Sequence, residues 1–133
     1  MFEGKNILVV GASSGIGYDL SQDLLQKGAN LFTASRQAPE GLDGATHIPL
    51  DVTELDKELD ALPKELHGLV YCPGSITLKP FKALKEKDFL ADFQINVLGA
   101  VKVLQAAHNN LRKAGSSSVV LFSTVAVQTG INF

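Results

Sequence analysis

Two stretches of this 133-residue chain combine residue types and spacings suited to chemistry. The first is Gly11-Ala12-Ser13-Ser14-Gly15-Ile16-Gly17. Glycines spaced Gly-x-x-x-Gly-x-Gly let a backbone turn tightly and approach a ligand that a Cβ would block. Ser13 and Ser14 offer hydroxyls, either to a phosphate or to the start of a helix. A helix beginning at Gly15 adds free N–H groups and a positive dipole end, so the stretch suits a phosphate. The second is Ser35-Arg36, where a planar guanidinium fork and a hydroxyl suit another phosphate. A third position stands out by cost. Asn96 is a poor helix former and Gly99 costs about 1 kcal/mol against alanine, yet both lie inside a long helical pattern. Some other constraint holds them there.

These residues need elements to position them. Asn6-Ile7-Leu8-Val9-Val10 is a short, β-branched apolar run that reads as a buried parallel strand. Gly15 to Lys27 has helical spacing and stops at Gly28. Further strands are expected at 30–34, 46–50, 68–72 and 118–122, with Arg36 to Gly44 as a polar loop. Helices are expected over Val52 to Leu62 and Phe89 to Lys113. The long one carries Phe89, Phe93, Val97, Ala100, Leu104, Ala107 and Leu111 as a core stripe. A second set, Leu90, Leu98 and Val101, widens it beyond the need of one sheet face. Either a second subunit or a following helix of the same chain would cover that side. Alternating strand and helix signals argue an α/β fold, a doubly wound parallel sheet with helices on both faces.

The phosphate loop resembles that of the short-chain dehydrogenase/reductase family, Thr-Gly-x-x-x-Gly-x-Gly, with Val10 in place of the threonine. The resemblance implies a Rossmann-like sheet of order 3-2-1-4-5 and a nicotinamide cofactor. In such folds the end of the second strand meets the adenosine ribose, where an acidic residue selects NAD. Here Thr33-Ala34-Ser35-Arg36 carries no carboxylate until Glu40. Arg36 and Ser35 therefore point to NADP, the alternative being an arginine turned to solvent. Asp51-Val52 matches the family pair beside the adenine ring, though Asp51 also reads as a helix N-cap.

The family marker Asn-Asn-Ala-Gly falls on Tyr71-Cys72-Pro73-Gly74, which keeps only Gly74, implied to pass close to the nicotinamide ribose. Cys72 has no activating neighbour in the sequence and reads as a small buried residue. Asn96-Val97-Leu98-Gly99 resembles Asn-Val-x-Gly, whose asparagine holds a water in a proton relay. By the same resemblance Thr124, with Ser123 close behind, polarises a substrate carbonyl. Only one of the two would serve, since neighbouring strand residues face opposite ways. The long helix commonly takes part in a dimer contact in this family, so a homo-oligomer through residues 89–113 is expected.

The expected function is NADP-dependent hydride transfer to or from a carbonyl or secondary alcohol on a small molecule. The alternative is a non-catalytic NADP-binding sensor or scaffold. The family's Tyr-x-x-x-Lys pair is not among these residues: Tyr18 and Tyr71 are followed, four positions on, by Gln22 and Ser75. The expectation is thus a single dinucleotide-binding domain over 1–133, ending before that segment, with Gly130 to Phe133 in mid-loop. It leaves the fifth strand as an apolar sheet edge.

Bulk properties agree with one soluble domain. Twelve basic and 14 acidic residues nearly balance at a net −2, so no nucleic-acid or anionic-membrane partner is expected. One cysteine and three scattered histidines form no metal-ligand pattern and suggest a reducing cytoplasm. No apolar run approaches membrane-spanning length, and the start lacks a secretory leader's apolar segment.

Overall fold

The computed structural model describes residues 1–55 and 59–129. Five parallel strands lie in the order β3-β2-β1-β4-β5: β1 Asn6–Val10, β2 Asn30–Ser35, β3 Thr46–Pro49, β4 Gly68–Tyr71 and β5 Ser118–Leu121. Helix α1 spans Gly15–Gln26. After a 3₁₀ turn at Phe81–Ala83, α2 spans Glu86–Phe93, a π-turn spans Gln94–Leu98, and α3 spans Gly99–Lys113. A four-residue α4, Ala126–Thr129, follows β5. The sheet order and the five strands match the expectation, with boundaries shifted by a residue at most.

Apolar residues on successive strand positions face opposite sides, and both sides are covered. Leu8, Val10, Leu69 and Tyr71 join Val103, Ala107 and Leu111 of α3 in one core. Ile7, Val9 and Val70 join Leu24 of α1 in the other. This is why β1 is apolar throughout, and burying each such side chain contributes about 1.5–3 kcal/mol. Beyond α1 the same side of β4 and β5 borders an open cleft of about 630 Å³. There β5 is an apolar edge, with Val119, Val120 and Leu121 between 43% and 54% exposed.

Two expectations about helices need correction. Val52 to Leu62 does not form the expected helix in its described parts, while residues 56–58 lie outside the described residues. Asp51 turns the chain instead: its Oδ1 accepts from the Thr53 N–H at 2.9 Å and from the Thr53 hydroxyl at 2.7 Å, an arrangement that competes with helix hydrogen bonds. The long helix begins at Glu86 rather than Phe89, because Asp88 accepts from the Lys85 N–H at 2.9 Å and caps it. Its stripe also divides at the π-turn. The inserted residue rotates what precedes it, so Ala100, Val103, Ala107 and Leu111 are buried while Phe89, Phe93 and Val97 stay exposed.

Candidate functional site

The site is built where strands diverge. Chains leaving β1 and β4 turn to opposite sides of the sheet, and this opens a crevice at their carboxyl ends. The strand ends are tied together there: Gly11 N–H donates to Ala34 O at 2.7 Å, Leu50 N–H to Ser35 O at 3.0 Å and Cys72 N–H to Val10 O at 3.0 Å. The resulting cleft measures about 390 Å³. Gly11, Ser13, Ser14, Gly15, Ile16 and Gly17 form one wall, Ser35, Arg36 and Val52 a second, and Cys72, Pro73, Gly74 and Ile95 a third.

The glycines are there for space as well as turning. Gly11 sits at φ 81°, and a Cβ on it would lie 3.0 Å from the Pro73 ring. A Cβ on Gly17 would collide with the Gly11 carbonyl oxygen, so α1 packs directly on the turn before it. Ser14 occupies the N-cap position in extended conformation, yet its side chain makes no capping bond. The first turn of α1 also carries no acidic side chain. Gly15, Ile16 and Gly17 of that turn line the cleft without an anionic side chain of their own turn.

At the far wall, Arg36 is exposed and, among the described residues, joins neither of the two ion pairs. Its charge reaches Asp51, whose carboxyl is held below the ordinary value chiefly by the Thr53 hydroxyl, then by the Thr53 N–H, with a smaller pull from Arg36. Asp51 itself does not line the cleft, whereas Val52 does. The Ser35 hydroxyl donates to Gln37 O at 2.7 Å, which leaves its oxygen as an acceptor.

Asn96 and the residues after β5 lie outside the cleft lining. The Asn96 side chain holds Ser75 at both backbone groups: Oδ1 accepts from the Ser75 N–H at 2.8 Å and Nδ2 donates to the Ser75 carbonyl at 2.8 Å. These bonds clamp the segment after Gly74 and leave one amide N–H and one Oδ1 lone pair. Ser123 and Thr124 are exposed. The pairing Tyr71↔Leu121 puts them just beyond the same end of the sheet as the cleft. Thr124 Oγ1 accepts from the Ala126 N–H at 3.1 Å and so starts α4. The Cys72 thiol is pushed up by burial, in line with a packing residue. Ile95 is a wall residue that sequence reasoning missed; its one signal is adjacency to Asn96. No group of His, Cys, Asp or Glu among the described residues could hold a metal, and no described helix is long and apolar enough to cross a membrane.

Comparison with known proteins gives consistent matches. The sequence profile described as short chain dehydrogenase matches residues 5–133. The 2,3-dihydro-2,3-dihydroxybenzoate dehydrogenase of Escherichia coli (strain K12) is 29% identical, over 96% of this chain and 54% of its own length. The 3-amino-tetrahydro-pyrrolizinone reductase of Xenorhabdus hominickii is 33% identical, over 83% of this chain and 42% of its own. The solved structure of a short-chain dehydrogenase from Streptomyces avermitilis superposes with a TM-score of 0.83 at 28% identity, covering 95% of this chain and 51% of that one. The chain thus spans about half the length of the curated relatives it matches.

Proposed function

This chain belongs to the short-chain dehydrogenase family, and from that membership we propose that its cleft binds NADP and that the whole protein is an oxidoreductase. The reaction is hydride transfer between nicotinamide and a carbonyl or secondary alcohol of a small molecule. The observation that carries the cofactor reading is the cleft itself, with the glycine turn at one wall and Arg36, free of ion pairs among the described residues, at another. In this reading Gly11 to Gly17 form the backbone cradle for pyrophosphate, with α1 packed so closely on the turn that Gly17 has no room for a Cβ.

In this reading Arg36 binds the 2′-phosphate and Ser35 shapes the turn beside it. Val52 packs on adenine, with Asp51 oriented by Thr53 behind it. Gly74 and Ile95 border the nicotinamide end. The bound nicotinamide supplies or accepts the hydride. Thr124 or Ser123 donates a hydrogen bond to the substrate oxygen, and Asn96 orders the relay water. We place the protein in the cytoplasm and residues 1–133 in a single dinucleotide-binding domain. A homo-oligomer through the long helix accounts for its exposed apolar row.

A second reading, a nucleotide-binding module without turnover, draws support from Tyr71-Cys72-Pro73 in place of the family asparagines. Fluorescence titration of this chain with NADPH and NADH tests the binding. An NADPH-dependent carbonyl assay on the whole protein then separates the two readings. Tighter binding of NADPH with turnover is expected; binding without turnover on a broad carbonyl panel favours the module, and no binding of either cofactor defeats both.

A further inference from the structure

The chain from Ser75 to Lys79 forms a strap that runs antiparallel to α2 and the π-turn. Three side chains four residues apart on the helix meet every second residue of that strap. Asn96 binds both backbone groups of Ser75 at 2.8 Å. Asp92 accepts from the Ser75 hydroxyl at 2.7 Å and from the Thr77 N–H at 3.0 Å. Asp88 accepts from Lys79 Nζ at 2.9 Å. The spacing has a geometric cause. Four helical residues rise about 6 Å and two extended residues advance about 6.6 Å, so the two rows stay in step. Side chains between the rungs point away: Ile76 is 71% and Leu78 67% exposed.

Asp92 is the middle rung and holds two strap residues at once. The strap begins directly after Pro73 and Gly74, which line the cleft, so its anchorage determines where that wall stands. We propose that Asp92 is a positioning residue for the Pro73–Gly74 wall of the cleft. The proposal rests on the dinucleotide reading only for the identity of what this wall meets, the nicotinamide end of NADP.

The test uses the 133-residue chain and two variants. Asp92→Leu keeps the size and removes both acceptors. Asp92→Asn keeps an acceptor for Thr77 N–H and offers an amide N–H to the Ser75 hydroxyl, which can accept. Three quantities are measured: amide hydrogen exchange at Gly74 to Thr77, affinity for NADPH, and affinity for 2′,5′-ADP, which lacks the nicotinamide half. In Asp92→Leu we expect strap exchange about tenfold faster and NADPH binding about tenfold weaker, a change typical of losing one or two such bonds. Binding of 2′,5′-ADP and exchange at Leu8 and Val9 stay unchanged, and Asp92→Asn restores both losses.

Unaltered strap exchange in Asp92→Leu overturns the proposal. So does equal weakening of both ligands with faster exchange across β1, which marks general loosening. If the wild type binds neither ligand, the dinucleotide reading fails, and strap exchange alone decides whether Asp92 positions the wall.

Discussion

Tyr71 donates a 2.6 Å hydrogen bond from its hydroxyl to the backbone carbonyl of Ile95, joining the end of β4 to the π-turn. Gly99 makes the bond possible, because a Cβ there would run into the Tyr71 hydroxyl and stand 3.1 Å from Val52 Cβ. One hydroxyl therefore links the strand that ends at the cleft to the turn that carries both Ile95, a cleft wall, and Asn96, the first clamp of the strap. That junction explains Gly99, and the two bonds to Ser75 explain Asn96.

Tyr71→Phe removes this bond and leaves the Ile95 carbonyl short of a partner. Unfolding in urea is expected to show a loss of about 1–2 kcal/mol. Burial pushes the Tyr71 hydroxyl up to about 12 from 10.0. The folded state thus holds this proton more tightly than the unfolded one, so its contribution is complete below pH 10 and is lost as pH rises through 12. The stability gap between wild type and Tyr71→Phe should narrow over that interval. A gap that stays constant would show that the hydroxyl is not the titrating group.

Gly17→Ala sets a methyl against the Gly11 carbonyl oxygen, a backbone atom that cannot swing aside. Overpacking of this kind typically costs about 1–3 kcal/mol. Thermal unfolding should register that loss, and nucleotide binding should weaken with it because the phosphate turn must shift. Full retention of both would mean that α1 can slide on the turn.

Arg36→Ala tests the choice of cofactor. A charge-assisted hydrogen bond contributes about 1.5–3 kcal/mol, and Arg36 is exposed, so the lower end applies. NADPH should bind about tenfold more weakly and NADH should be unaffected. Equal losses for the two cofactors would remove the assignment to NADP.

The exposed row Leu90, Phe93, Val97 and Val101, each 42–58% exposed, lies at helical spacing along the long helix. Sedimentation should find the wild-type chain as a dimer and Val97→Glu with Val101→Glu as a monomer with unchanged far-UV circular dichroism. A monomeric wild type would sink the oligomer assignment.

The five strands and the glycine turn were legible in the sequence because their causes are local, while the strand order followed from the family resemblance. A short apolar run buried on both faces, glycines where a Cβ meets backbone, and an arginine directly after β2 all appear as residue types at fixed spacing. The Val52–Leu62 helix was misread for a reason of the same scale: helical spacing was present, but Asp51 and Thr53 divert the backbone bonds that start a helix. Asn96 and Gly99 were legible as anomalies, though the Ser75 and Tyr71 groups they meet were not.

The π-turn, the Tyr71–Ile95 bond and the strap ladder belong to the tertiary structure alone. Their partners lie 9 to 24 residues apart, and nothing in either segment taken singly requires the other. Only when β4 and α3 pack on the same core do a tyrosine hydroxyl, two carboxylates and an amide come within reach of one backbone. Sequence periodicity records which way a side chain faces; which distant carbonyl or N–H it meets is decided by how the packed elements align.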